Sequence, residues 1–97
     1  SAREALGLTV QPMTPVLAQE LGVKDKTGVV VARVHEGSPS AEAGLQPGDV
    51  IVEANGQPVK TVADLRRALA AQKPGEPTLL RLHRKDASLF VALTKEG

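Results

Sequence analysis

Between Gly28 and Gly56 the chain alternates β-branched runs with turn signals so closely that short antiparallel strands are the main thing it can build. "GVVVARV" (28–34) is dense in valine and reads as a buried strand. "QPGD" (46–49) has Pro then Gly at its central positions, which is type II turn chemistry. "VIVEA" (50–54) is a second strand, and Asn55-Gly56 directly after it is the strongest short hairpin signal available. Inside this stretch Ser38 and Pro39 can start one helical turn, and Gly44 can stop it.

The flanks extend the pattern. In "EALGLTVQP" (4–12), Leu6, Leu8 and Val10 alternate with Gly7, Thr9 and Gln11, the period of a half-buried strand. A glycine there marks a bulge, a tight turn or a close backbone approach. "TPVLAQELG" (14–22) carries helix punctuation: Thr14 as N-cap, Pro15 at N1 and Gly22 past the end. The longest periodic segment is "TVADLRRALAAQ" (61–72), capped by Thr61 with Asp64 in a capping-box variant. Val62, Leu65, Ala68 and Leu69 form its apolar stripe, and "KPG" (73–75) ends it. Two final strands, "TLLRLHR" and "SLFVALT", are joined by the turn "KDA". The sum is an α+β domain: five or six short, mostly antiparallel strands, one long helix and one or two short ones.

Ninety-seven residues hold one core, and the residue usage is that of a soluble domain. Twelve basic against eleven acidic residues give no electrostatic footprint for nucleic acid, and a single aromatic gives no base-stacking platform. Any pocket is therefore aliphatic. No cysteine is available for a disulfide or a thiolate site, and no apolar run reaches the length of a membrane span. The short polar ends read as those of an excised module.

No catalytic set emerges. Ser38 lies three residues after His35, but Pro39 removes the next backbone N–H from any oxyanion hole. His35 reads as the end of an exposed strand, and His83 as a strand residue beside Arg84 and Lys85. Two distant histidines make no metal ligand set, and the expectation is no metal and no cofactor. Asp49 reads as an acceptor of backbone N–H groups at its turn. Any site must then be built from backbone.

The order of these features resembles a PDZ domain. The "LGL" entry, "GVVV", "GSPSAEAGLQPGDVIVEANGQPV" and the capped helix carry the likeness, with Ser40 where alanine is common. It covers about residues 5–94, leaving 1–4 as linker and 95–97 as tail. Within PDZ domains the chain is similar to those of the bacterial HtrA/Deg (Do-like) periplasmic serine proteases, and more to the second of their two. Only Ser1 to Glu4 precede the loop, too few for the strand that animal PDZ domains place there. The resemblance hence implies the bacterial, circularly permuted strand order, with the last strand, about Ser88 to Leu93, taking that place. The implied fold is a small five- to six-stranded β-sandwich or partly open barrel.

The resemblance further implies a non-catalytic module that binds peptides by adding them to the sheet as a strand. Backbone N–H groups of Leu6, Gly7 and Leu8 would hold a C-terminal carboxylate, and Leu8 to Gln11 (with Thr9 and Val10) would be the template strand. Val62, Arg66 and Leu69 would form the helix wall, with Leu65 and Ala68 turned to the core. Periodicity alone reads Leu8, Val10, Val62 and Leu69 as core, whereas the resemblance makes Leu6, Leu8 and Leu69 groove residues. Arg66 has two readings, a guide for acidic peptide residues or a solvated helix face. The loop opens with Ala5, where an aromatic is common, and Val62 stands where animal PDZ domains often carry His. The expected ligands are C-terminal or extended peptides with apolar last and third-from-last residues, bound in the micromolar range. The expected partners are the protease domain and other PDZ domain of a periplasmic parent that handles misfolded proteins. Two alternatives stand beside this: an oligomerisation or scaffolding PDZ domain with a weak or closed groove, and a PDZ domain of another protease or secretion-system component.

Overall fold

The structure is a computed structural model that describes residues 6–94; Ala5, the expected linker 1–4 and the tail 95–97 lie outside the described residues. Among the described residues, six strands and three helices from Leu8 onward follow one another as β1 (Leu8–Pro12), α1 (Pro15–Leu21), β2 (Val29–Val34), α2 (Pro39–Ala43), β3 (Val50–Ala54), β4 (Gln57–Pro58), α3 (Val62–Ala70), β5 (Pro77–Arg84) and β6 (Ala87–Thr94). They form one antiparallel sheet in the order β1-β2-β3-β5-β6, with β4 pairing β3. The last strand takes the end place beside β5, paired along all of its length from Arg84↔Ala87 to Pro77↔Thr94. Among the described residues the sheet is open, and its two ends are β1 and β6.

The local signals act as their chemistry requires. The hydroxyls of Thr14 and Ser38 accept N–H bonds from Leu17 (3.1 Å) and Ala41 (3.2 Å), starting α1 and α2. Thr61 and Asp64 close a reciprocal capping box on α3, and Asp64 also accepts from the Lys60 N–H at 2.9 Å. These N–H bonds, that from Lys60 foremost, hold the Asp64 carboxyl below its ordinary pKa. The "QPGD" turn is closed by the Asp49 N–H donating to the Gln46 carbonyl at 3.1 Å. Asn55 and Gly56 both have positive φ (50° and 79°), as a two-residue hairpin turn between β3 and β4 demands.

The core lies between the inner face of the sheet and α3. Leu8, Val29, Val31, Ile51, Leu80, Leu82 and Leu93 meet Leu65 and Leu69 of the helix, closed by Leu6, Leu45 and Val59. Alternation sends Val30 and its cross-strand neighbour Val50 to the other face, where both are still buried. That same outer face is bare further along, and Leu79 and Phe90 stand exposed on β5 and β6.

One long-range pair holds the centre. Asp49 is 1% exposed and accepts from the Gln46 N–H (2.8 Å), as its turn position suggests. It also accepts two bonds from Arg84, Nε at 2.8 Å and a terminal guanidinium nitrogen at 2.9 Å. Arg84 in turn donates to the Gly44 carbonyl, tying the end of β5 to the end of α2. A bidentate pair of this kind offsets the cost of burying the carboxylate, and the bonds to Asp49 hold the guanidinium above its ordinary pKa.

Candidate functional site

β1 is an end strand with one partner, β2, and α3 lies across from its other side. The orientation of its main-chain groups follows from the register. The His35 N–H donates to the Gly7 carbonyl (2.9 Å) at one end, and the Met13 N–H to the Gly28 carbonyl (3.2 Å) at the other. These bonds flank the pairs Leu8↔Val34 and Pro12↔Val29, which are therefore non-hydrogen-bonded pairs. Counting inward from Pro12, Val10↔Val31 is a third, consistent with Val31 bonding Asp49 and Gly48 on its opposite side. The register slips between Thr9 and Val10, leaving Ala32 of β2 as the extra residue, so β1 itself keeps its alternation. The N–H and C=O groups of Leu8 and Val10 accordingly point away from β2, toward α3. Among the described residues this is an unpaired sheet edge facing a helix.

The side chains follow the same two-residue period. Leu8 (2% exposed) joins the core cluster and Val10 packs half-buried against it, whereas Thr9 and Gln11 face the other side. From the helix, Val62 packs half-buried on the cluster and Leu69 is inside it at 4% exposed, beside Leu65. Arg66 is exposed and stands outside the cluster. The expected groove residues Leu6, Leu8, Val10, Val62 and Leu69 thus share one apolar body between β1 and α3.

Gly7 shapes the loop at the head of this edge. Its φ is +70°, a conformation L residues seldom adopt. A Cβ on Gly7 would lie 2.3 Å from Ser38 Cβ and 2.6 Å from Ser38 Oγ. The loop therefore rests on the N-cap of α2, whose hydroxyl also donates to the His35 carbonyl at 2.6 Å. Glycine serves two needs here, positive φ and close approach, and the sequence hinted at both without naming Ser38 as the neighbour.

Side-chain pairs between residues far apart in the chain were beyond sequence reasoning. Arg84 reaches Asp49 across 35 positions, and His83 Nδ1 lies 2.7 Å from Asp25 Oδ1 across 58. The second pair lines a cleft of about 360 Å³ between residues 22–25 and 83–88. Ser88 lines the same cleft, but its hydroxyl accepts from Arg81 Nε (3.1 Å), and an arginine neighbour supplies no general base. Among the described residues no three His, Cys, Asp or Glu side chains are grouped as a metal ion would need. Among the described residues, too, no helix is long and apolar enough to cross a membrane.

The comparisons agree with this geometry. The family profile described as "PDZ domain" matches residues 5–94. The chain is 39% identical over 92 residues to a "Probable periplasmic serine endoprotease DegP-like" of Rhizobium meliloti (strain 1021), covering 95% of this chain and 18% of that protein. It is 36% identical over 89 residues to a protein of the same name from Brucella suis biovar 1, covering 92% and 17% respectively. The chain thus spans under a fifth of the length of these relatives. Among solved structures it is similar to the HtrA3 PDZ domain bound to a phage-derived ligand (FGRWV), with TM-score 0.82, 31% identity, and coverage of 94% of this chain and 83% of that one. It is equally similar to the HtrA-type protease AlgW with a decapeptide, with TM-score 0.83, 31% identity and coverage of 94% and 28%. With an unpaired strand edge facing a capped helix, a glycine loop at its head and a family match over residues 5–94, the chain belongs to the PDZ domain family, as a non-catalytic module like those of HtrA-type serine proteases.

Proposed function

We propose that this domain captures the C-terminal tails of other proteins by β-augmentation at β1, and so feeds or regulates a periplasmic HtrA-type serine protease of which it forms part. The observation that carries the reading is the outward N–H and C=O groups of Leu8 and Val10 opposite α3. An extended peptide laid antiparallel there satisfies both sets, and main-chain bonds supply affinity without demanding a particular sequence. At the head of the edge, the N–H groups of Leu6, Gly7 and Leu8 are the receptor for the terminal carboxylate. Several N–H donors converging on one anion make charge-assisted bonds, which are stronger than neutral ones. The aliphatic body beneath, Leu6, Leu8, Val10, Val62 and Leu69, selects apolar side chains at alternate ligand positions. Peptides bound in the HtrA3 and AlgW structures support the reading, and the names of the DegP-like relatives support the compartment and the parent activity.

The test compares peptides ending in a free carboxylate with the same peptides amidated, by isothermal titration calorimetry. The expected result is micromolar binding of the free acids and at least tenfold weaker binding of the amides. Equal affinity for both sinks the carboxylate-loop assignment.

A further inference from the structure

The outward edge of β1 has an abrupt end. Its outward positions are Leu8, Val10 and then Pro12, because β1 keeps its alternation while the extra residue sits on β2. Proline has no N–H, so the third outward position offers a carbonyl and no donor. Past it the chain leaves the edge: the Met13 N–H is committed to Gly28, and Thr14 caps α1.

We propose that Pro12 fixes the length of tail this groove reads, making the partner a protein whose free C-terminus need expose about five extended residues and no more. The proposal rests on the peptide-binding reading above. With the terminal carboxylate on Leu6 to Leu8, the last ligand residue lies opposite Leu8 and gives its N–H to the Leu8 carbonyl. The third from last lies opposite Val10 and exchanges both bonds with it. The fifth from last meets Pro12, to whose carbonyl it can donate, but its own carbonyl finds no N–H. Complete main-chain pairing therefore stops at the third residue from the end. A proline on an exposed edge also discourages further strand addition, so residues beyond the fifth add no pairing and a long unfolded segment gains nothing over a frayed tail of five.

The experiment uses three peptides with a common free-acid ending, Leu-Val-Ala-Val, alone or preceded by two or six alanines, titrated against the domain and its Pro12→Val variant. The native domain is expected to bind the two longer peptides within twofold of each other and no more than about fivefold more tightly than the tetrapeptide, the worth of the single bond to the Pro12 carbonyl. Pro12→Val should leave the tetrapeptide affinity unchanged, which shows that the groove is intact. It should tighten the two longer peptides about fivefold, the worth of one net hydrogen bond of about 1 kcal/mol. A native domain that binds the ten-residue peptide tenfold more tightly than the six-residue one overturns the proposal, and so does a variant with the native length profile. Failure of every free-acid peptide to outbind its amide overturns the peptide-binding reading itself, a different pattern from either.

Discussion

Replacing Gly7 by alanine perturbs the head of the groove with a single methyl group, and its cost can be built up from geometry. The φ of +70° alone costs an L residue about 1–2 kcal/mol. The new Cβ would stand 2.3 Å from Ser38 Cβ, more than an ångström inside the ordinary carbon contact of about 3.5–4.0 Å. Overpacking of that kind typically costs about 1–3 kcal/mol as neighbours shift. The expected loss is therefore about 2–5 kcal/mol, read from urea unfolding of the native and variant domains. A second variant separates the two causes. Ser38→Gly removes the side chain that the methyl would strike, and glycine is itself a fair N-cap, so alone it should cost well under the Gly7 change. In the Gly7→Ala/Ser38→Gly double variant the contact cost disappears while the φ cost stays, giving a favourable coupling of about 1–3 kcal/mol in the mutant cycle. Peptide affinity should fall in Gly7→Ala and recover in part in the double variant. Strict additivity of the two changes, or a Gly7→Ala loss below about 1 kcal/mol, would refute the claim that the loop's shape is held against the α2 cap.

Other substitutions probe the frame. Arg84→Ala strands the buried Asp49 carboxylate without its guanidinium, and chemical denaturation should show a loss of about 3 kcal/mol or more. Ser40 is fully buried with an unpartnered hydroxyl, so Ser40→Ala should be neutral or stabilise by about 1 kcal/mol in the same assay. Because Asp64 is held below its ordinary pKa, its capping contribution is present above pH 3.8 and is lost as pH falls through the lower folded value. Thermal melts should thus separate native from Asp64→Asn at pH 7 and converge at the acid end of the titration; a gap unchanged down to pH 2 would contradict the capping role.

The elements were legible because their punctuation is local. Thr14, Ser38 and Thr61 cap helices through hydroxyls that reach three residues on, and Asn55-Gly56 turns without help from the rest of the chain. The apolar body between β1 and α3 was legible as a place but not as a division of labour. Leu65 and Leu69 lie on one helical stripe and are both buried, so spacing could not assign one to the core and the other to a wall. The periodic segment 61–72 yields a helix over Val62–Ala70: Ala71 is its C-cap, and the Gln72 amide beyond it donates to the carbonyls of Glu76 and Leu93. That tie to β6, like Arg84 to Asp49 and Ser38 beneath Gly7, joins residues far apart in sequence. No periodicity encodes such pairs, because they exist only once the sheet has brought distant strands together.

The β5–β6 hairpin has a consequence for how the molecule comes to exist. It pairs eight residues with eight across a two-residue turn, a closure as short as that between β3 and β4, where only two pairs form. Pairing β3 with β5 must close a loop that contains β4 and all of α3, and β1 can find its place only after β2 is set. The C-terminal hairpin is thereby the natural nucleus. The β1 edge lies at the far end of the sheet from this hairpin and joins it only through β2, which meets β3 in two pairs, Val29↔Ile51 and Val30↔Val50.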